Sequence, residues 1–370
     1  MTTCQSRTLK TTFACTLSIA VLAAWHAPAK ASPEAQASTS DVARYLAGMP
    51  VSENSPLESA TNNKLWQQHK KRLDTAWASV ELRQLSKIRK WSEANITNPQ
   101  STLFYPFSGP DFLYANAFFP KAKTFVLAGL EPVGNEPDLA RMAAARRNSG
   151  IEALQSSINT VLRVSFFRTI EMTSKLRQRA FPGVIPVLYT FIARSGYTVE
   201  KSELLVFGPD GMPQDAADAK TPDGVRITFA APGSDEKRTL YYFSTNIAND
   251  GLKKSGLLNF MKTLAPGDGF IKSASYLPHR DHFSDLRDFM LANVRHLVQD
   301  DTGVPLTFFA PAEWERNPFG NYHGPISIFS KYYQPAMRKL FSQKDRKPID
   351  FGIGYRWRTG DSGFLLAVRK

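Results

Sequence analysis

The amino-acid sequence predicts an α/β fold in which helices cover a mostly parallel β-sheet. Thr102–Phe107 is a short aromatic and apolar run, as expected of a buried strand. The turn-forming Ser108–Asp111 stops this run, Phe112–Phe119 follows as a short helix, and Thr124–Leu130 is a second apolar run that ends at Glu131. A strand, a helix and a strand in this order form a βαβ unit, which is the seed of a parallel sheet.

A helical layer is predicted before this unit. Trp66, Leu73, Trp77 and Val80 recur at helical spacing, with charged and amide side chains on the opposite face. Together with Trp91, the two tryptophans of this stripe could line a sugar site, although such stripes more often pack on a core.

The remainder of the chain alternates between strand and helix patterns around an antiparallel insertion at about 195–245. We therefore divide the sequence into residues 1–31, an N-terminal linker and helical layer at 32–98, and the α/β domain at 99–370. Predicted elements of this domain include strands at Val184–Ala193 and Val304–Phe309, a helix at Ser284–Val298, and a terminal hairpin of Ile349–Trp357 with Gly363–Val368.

The first 31 residues have the pattern of a secretory signal peptide. Arg7 and Lys10 precede a mostly apolar stretch, and Ala29-Lys30-Ala31 fits the small-x-small cleavage pattern. The apolar stretch is short for a membrane span, so an uncleaved anchor is the less favoured alternative. We expect cleavage after Ala31 and a periplasmic or secreted chain with no membrane span.

The charge of the chain favours anionic surroundings. The sequence has 46 Lys and Arg against 33 Asp and Glu, a formal net charge of +13. Residues 1–31 contribute Arg7, Lys10 and Lys30 and no acid, so the remainder carries +10, which is 43 minus 33. Cys4 and Cys15 also lie in that segment, so the mature chain has no thiol chemistry. Because the basic residues are dispersed, a solubilising surface charge is the simpler interpretation of the net positive charge. We expect an unknown small-molecule or anionic envelope ligand and no nucleic acid.

Two separated pieces resemble the class I, Rossmann-like methyltransferases. The first is the opening βαβ unit, with a Ser-Gly loop after its first strand and Glu131 after its second. The second is LLNFMKTLAPGDGFIKSASYL at Leu257–Leu277, which is similar to that family's helix, Pro-Gly turn and following strand. The resemblance implies a Rossmann-like sheet with an antiparallel ending. It also implies that the loop backs S-adenosylmethionine and that the acid binds its ribose.

The donor loop of this chain is degenerate relative to that family. It reads FYPFSGPD at Phe104–Asp111, with one glycine where the family has several. The FSGPDFLYA and LAGLEPVG stretches also resemble exported bacterial proteins of unknown activity. These features favour a protein that binds a ligand without catalysis, although an enzyme is an open alternative.

Polar residues that follow predicted strands are the candidate site residues, since ligands of open α/β sheets bind at the carboxyl ends of strands. No metal ligand set has diagnostic spacing, and no cofactor is indicated by the residues alone. The candidate ligand-binding residues are Ser108, Gly109, Asp111, Glu131, Asn246 and Asp250.

A second cluster contains His279, Asp281 and His282, with Asp285 close behind. Histidines with neighbouring carboxylates can perform acid–base chemistry or bind a divalent metal. The alternative functions are therefore a transferase that uses an adenosyl or nucleotide ligand, and a metal-dependent or acid–base hydrolase with these three catalytic residues. A solvated loop is the simpler interpretation of the cluster.

Overall fold

The computed structural model describes residues 36–166, 180–216, 218–344 and 346–370. Residues Gln36–Lys370 form one compact unit. The predicted signal peptide, its cleavage after Ala31 and the two cysteines lie outside the described residues. None of the helices in the described ranges has the length and apolar character needed to cross a membrane.

The described residues form an α/β structure. The helices are α1 (Thr39–Leu46), α2 (Glu58–Thr61), α3 (Lys64–Val80), α4 (Ser86–Asn95), α5 (Phe112–Phe118), α6 (Ala144–Val164), α7 (Ile185–Arg194), α8 (Asn249–Leu252), α9 (Leu257–Thr263), α10 (Ser284–Asn293) and α11 (Pro335–Phe341). The strands are β1 (Thr102–Tyr105), β2 (Thr124–Gly129), β3 (Thr198–Phe207), β4 (Pro213–Asp215), β5 (Gly224–Ala230), β6 (Lys237–Ser244), β7 (Gly267–Ile271), β8 (Val294–Gln299), β9 (Trp314–Gly320) and β10 (Gly363–Arg369).

The ten strands form one sheet in the order β4-β3-β5-β6-β2-β1-β7-β8-β10-β9. The central strands β6, β2, β1, β7 and β8 run parallel to one another. The outer strands on both sides pair antiparallel. Since five of these nine pairings are antiparallel, the expectation of a mostly parallel sheet is wrong for the whole sheet.

Helices cover both faces of the central strands. Leu103 and Tyr105 of β1 belong to one buried apolar cluster, which includes residues of α1 and α3 to α7. Phe104, between them in sequence, belongs to the second cluster, which includes residues of α8 to α11. This alternation follows from the two-residue side-chain period of a strand, and burial on both faces explains why the run is apolar throughout.

The antiparallel insertion is present, because β3 pairs antiparallel with both β4 and β5, and β5 with β6. The predicted strand Val184–Ala193 is instead α7. Every residue from Ile185 to Ala193 is buried, so the sequence shows no helical stripe and the short apolar run is ambiguous. Pro186 in the first turn of α7 is the feature that suits a helix.

Three predictions near the C-terminus are also wrong. The predicted helix Ser284–Val298 ends at Asn293, and its last residues belong to β8. Val304–Phe309 contains a short 3-10 turn and no strand. The last strand, β10, lies between β8 and β9, so its hairpin partner is not Ile349–Trp357. The partners of a strand in a sheet depend on chain segments far away in sequence, which local patterns do not specify.

Candidate functional site

A cleft of about 180 Å³ lies at the carboxyl ends of the parallel strands. Its walls come from the segments that follow β1, β2, β6 and β7. Strand order runs from β1 to β2 and β6 on one side, and from β1 to β7 and β8 on the other, so the order reverses beside β1. Open α/β sheets bind ligands at such a reversal, because the loops on the two sides diverge and leave a crevice. We refer to this cavity as the switch-point cleft.

Two glycines let the loops after β1 and β2 touch at the base of the cleft. Gly109 has a φ of +57°, and its amide donates to the carbonyl of Ala128 at 3.0 Å. A Cβ on Gly129 would lie 2.9 Å from Gly109 Cα and 2.3 Å from Glu131 Oε2. Glycine is required here because a side chain would displace either the neighbouring loop or the carboxylate.

Glu131 forms part of the cleft wall but is itself buried, with 0% of its surface exposed. The hydroxyl of Tyr242, in β6, donates to the Glu131 carbonyl at 2.9 Å and to its Oε2 at 3.2 Å. Burial raises the pKa of the Tyr242 hydroxyl well above its usual value, and the adjacent Glu131 carboxylate raises it further. The tyrosine therefore stays a hydrogen-bond donor that positions this carboxylate.

A buried ion pair lies under the loop after β1. Lys272, directly after β7, places its Nζ 2.9 Å from Asp111 Oδ2, and both side chains are almost fully buried. Asp111 also caps α5 by accepting from the amide of Tyr114 at 3.2 Å, and it accepts from the Tyr105 hydroxyl at 3.0 Å. The Lys272 ammonium donates to the Ser165 carbonyl and lies 4.1 Å from the centre of the Tyr114 ring. Each charged group is thus paired and hydrogen-bonded by other groups of the fold.

The loop after β7 has an unusual backbone. Ser273, Ser275 and Tyr276 have φ values of +54°, +53° and +57°, in the left-handed region that non-glycine residues rarely occupy. Such conformations persist only where surrounding contacts hold them, and they cluster at functional sites. Here Asp300 Oδ2 accepts from the Ser273 amide at 2.9 Å, and Thr302 Oγ1 accepts from the Ala274 amide at 2.7 Å.

Tyr276 joins this loop to a neighbouring acidic turn. Its hydroxyl donates to Asp301 Oδ2 at 2.5 Å, and its ring stacks on Tyr332 with centroids 4.8 Å apart. Burial, reinforced by the charge of Asp300, raises the pKa of Asp301 to about 7. The turn Asp300-Asp301-Thr302-Gly303 therefore supports the strained loop of the cleft.

The predicted ligand-binding residues are distributed unevenly around the cleft. Gly109, Glu131 and Asn246 line it, and the buried Ser108 is adjacent to Gly109, to whose carbonyl its hydroxyl donates at 2.6 Å. Asp111 lies beneath the loop in the ion pair described above. Asp250 is 91% exposed at its side chain and points to the surface, outside the cleft lining.

The predicted catalytic cluster does not converge on one point. Asp281 and His282 are exposed, whereas His279 packs against the rings of Tyr276 and Tyr332. Burial lowers the pKa of His279 to about 4, so its ring is neutral at ordinary pH. Within the described ranges, no group of three or more His, Cys, Asp or Glu side chains could hold a metal ion.

Sequence reasoning missed several residues of the site. Lys272, Ser273 and Ser275 follow β7, where a strand-end rule could have included them, and Ser273 and Ser275 line the cleft. The sequence does not indicate a role for Tyr242 in the site, because tyrosine is an ordinary residue of a strand. The described cleft lining contains one carboxylate, one amide, two serines and no cationic side chain. Such a surface favours neutral or cationic ligands over anions.

Comparisons with known proteins add no functional assignment. No protein-family model, no curated protein and no solved structure matches this chain.

Proposed function

We propose that this chain is a binding protein with a Rossmann-like, methyltransferase-like core, and that its switch-point cleft takes a small molecule of the nucleoside class. The observation that carries the proposal is the position of the cleft at the reversal of strand order beside β1. If the parallel strands are numbered in chain order, their spatial order is 3-2-1-4-5, the beginning of the classic dinucleotide-binding order.

The residues at the cleft support the ligand class. In dinucleotide-binding folds, an acidic residue about 20 positions after the first glycine loop binds a ribose hydroxyl. Glu131 follows Gly109 by a similar interval and contributes to the same cleft. Apolar side chains such as Phe107, Leu277 and Phe283 line the rest and suit the faces of a planar base.

Binding is favoured over methyl transfer for three reasons. The cleft volume of about 180 Å³ is below the range of about 300–1,000 Å³ typical of pockets for larger ligands. The Gly109 amide already donates to the Ala128 carbonyl. Pro110 has no backbone N–H, so it cannot donate a hydrogen bond to S-adenosylmethionine. Glu131 is also held by Tyr242, so it would have to exchange partners to receive two ribose hydroxyls.

An active transferase is the second candidate. It is supported by the antiparallel position of β10 beside β8, because the methyltransferase resemblance implies an antiparallel ending of this kind. The hydrolase alternative is less favoured, since Asp281 and His282 are exposed and lie apart from the cleft lining. Export to the periplasm or beyond remains part of the proposal and rests on the signal-peptide pattern of residues 1–31.

The test is a thermal-shift screen with adenosine, guanosine and uridine, each at about 1 mM. A ligand bound only by the folded state raises the melting temperature, and a dissociation constant near 100 µM gives a shift of roughly 3 °C. We expect at least one nucleoside to bind. Asn246→Trp, at the rim of the cleft, should abolish the shift, whereas Asp250→Trp, outside the cleft, should leave it unchanged.

Calorimetry with S-adenosylmethionine separates the two candidates. We expect no binding of S-adenosylmethionine at about 1 mM. The Phe104–Asp111 loop has only one glycine for a close approach, and the cleft is too small for a ligand of this size. Micromolar binding that Glu131→Gln abolishes would promote the transferase. If none of the three nucleosides shifts the wild-type protein, the nucleoside-binding proposal is wrong.

A further inference from the structure

A second cavity, of about 330 Å³, lies at the opposite edge of the sheet. It is bordered by α3, α4, α5 and the end of α7, and Tyr197 beside it directly precedes β3. The start of β3 pairs with Ala230 at the end of β5, which pairs with Lys237 at the start of β6. This cavity is therefore near the amino ends of the parallel strands, whereas the switch-point cleft is at their carboxyl ends. We call it the amino-edge cavity.

The three tryptophans of the N-terminal helices have different environments. Trp66 is buried, and its Nε1 donates to the Tyr45 carbonyl at 3.1 Å. Trp91 is buried with its ring edge against Phe319 and Phe364. Trp77, in contrast, is only half-buried and lines the amino-edge cavity. Packing on the core thus accounts for the first two tryptophans, whereas the half-buried Trp77 packs partly against the core and also lines the cavity.

A buried amide faces the same cavity. Asn116, in α5, is 7% exposed and lines the cavity. Its Oδ1 accepts from the Tyr197 hydroxyl at 3.3 Å, and that hydroxyl accepts from Arg238 Nη1 at 2.9 Å. Asn116 Nδ2 makes no hydrogen bond to a described residue and is open to the cavity, where water reaches it. This donor is therefore available to a ligand that displaces the water.

The charged groups of the cavity occur as pairs. Arg89 forms an ion pair with Glu81, and Arg194 Nη1 lies 2.6 Å from Asp74 Oδ1. The Arg194 side chain is only 9% exposed and also donates to the Ala47 carbonyl at 2.6 Å. Because each guanidinium already has a carboxylate partner, an anion would gain little attraction here. Paired charges offer both donors and acceptors to a neutral molecule with several hydroxyls.

We propose that the amino-edge cavity is a saccharide-binding site that takes a neutral pyranose unit. A pyranose ring has an apolar face of C–H groups and a rim of hydroxyls that both donate and accept. The indole of Trp77 suits the apolar face, and Asn116 with the Arg89–Glu81 pair suits the rim. The cavity volume of about 330 Å³ lies at the lower end of the range of about 300–1,000 Å³ that is typical of pockets for drug-sized ligands.

The site is rigid before any ligand binds. The Tyr197 ring packs edge-on against Phe229 at 5.2 Å and lies under the Arg238 guanidinium at 5.1 Å. Asn116 is held by that tyrosine, so little side-chain freedom is lost on binding. A rigid aromatic and amide pair of this kind is suited to selecting one orientation of a sugar ring.

The test is a titration of the protein with maltose, cellobiose and N,N′-diacetylchitobiose. Binding is measured by saturation-transfer NMR and by tryptophan fluorescence. We expect saturable binding of at least one of them. Trp77→Leu should weaken it on the order of tenfold or more, as loss of an aromatic anchor does. Asn116→Leu should weaken it too, since it removes the donor at similar side-chain volume. Trp357→Leu, a half-buried tryptophan outside the cavity, is the matched control and should bind as the wild type.

Ser195→Trp is a second test of the cavity that leaves the buried residues of the helices unchanged. Ser195 caps the end of α7 at the cavity lining, and a large ring there should block the cavity. Circular dichroism of each variant shows whether it has folded. Absence of binding for all three sugars, or sugar binding that survives both Trp77→Leu and Ser195→Trp, would overturn the proposal. Neither result bears on the switch-point cleft, whose nucleoside test uses different residues at the opposite edge.

Discussion

The Asp111–Lys272 pair is an almost fully buried ion pair of the core. Burial raises the pKa of Asp111 even though the Lys272 ammonium lies 2.9 Å away and lowers it. A raised folded pKa means that burying this carboxylate opposes folding once the pH exceeds its unfolded value. The pair therefore costs desolvation, but removal of either partner would leave a buried charge without compensation.

Lys272→Met is the test at the residue scale. We expect a loss of about 3–5 kcal/mol in the free energy of unfolding, because Asp111 keeps its burial and loses its counter-charge. Urea denaturation at pH 7 measures this loss. Lys253→Met is the matched control, since Lys253 and Asp250 are exposed and such surface pairs contribute about 0–1 kcal/mol. A loss below 1 kcal/mol for Lys272→Met would mean that water reaches Asp111.

At the scale of elements, one histidine of the N-terminal helical layer links three helices. His69, in α3, is fully buried, and its Nε2 lies 2.8 Å from the carbonyl of Leu46 at the end of α1. Its Nδ1 lies 2.8 Å from Nε2 of Gln155 in α6. The neutral tautomer satisfies both contacts, since its Nε2–H donates to the carbonyl and its Nδ1 accepts from the amide. Burial accordingly lowers the pKa of His69 to about 4.

This contact predicts a pH dependence of stability. The folded pKa lies below the unfolded value of about 6.5, so the unfolded chain binds the proton first as the pH falls. Stability from His69 is full above about pH 6.5 and is lost towards pH 4, at up to about 1.4 kcal/mol per pH unit. We expect His69→Gln to unfold more easily at pH 7 and to lose less on acidification. Urea denaturation at pH 7, 6 and 5 measures both effects.

The exposed His282 supplies the control for this measurement. His282→Asn should keep the wild-type dependence on pH. A difference between His69→Gln and the wild type that stays constant from pH 7 to 5 would contradict the lowered pKa of His69.

At the scale of the whole molecule, the sheet depends on its last strand. β10 lies inside the sheet, paired with β8 from Leu365 to Val368 and with β9 from Gly363 to Arg369. Removing it exposes two unpaired edges and the apolar surface that Phe364 and Leu365 cover, each 0% exposed. Residues Phe364 to Ala367 of β10 are therefore part of the core.

We expect a chain truncated after Ser362 to lose its cooperative unfolding transition. Far-UV circular dichroism during heating measures this transition. The matched control replaces residues 209–222, which include the edge strand β4, with a short Gly-Ser linker. Because β4 pairs with β3 alone, the control should unfold cooperatively near the wild-type temperature. A cooperative transition in the truncated chain would show that β8 and β9 can close the sheet without β10.

Part of the site was predictable because it follows a local rule. Gly109, Glu131 and Asn246 each come after a strand, and parallel strands place such residues at one edge of the sheet. The same rule named His279, but the polypeptide turns there and its ring packs against the stacked rings of Tyr276 and Tyr332. A strand-end rule gives the edge of the sheet on which a residue lies but not the direction in which its side chain points.

The sequence alone determined the βαβ unit, the helical layer and the antiparallel insertion, since each has a hydrophobic period that its own residues define. Tertiary structure alone decided that Ile185–Arg194 is a helix, that β10 enters between β8 and β9, and that Lys272 pairs with Asp111. Each of these depends on burial or pairing with segments distant in sequence. The free energy of such contacts exists only once those segments have come together, so no local pattern of residues records it.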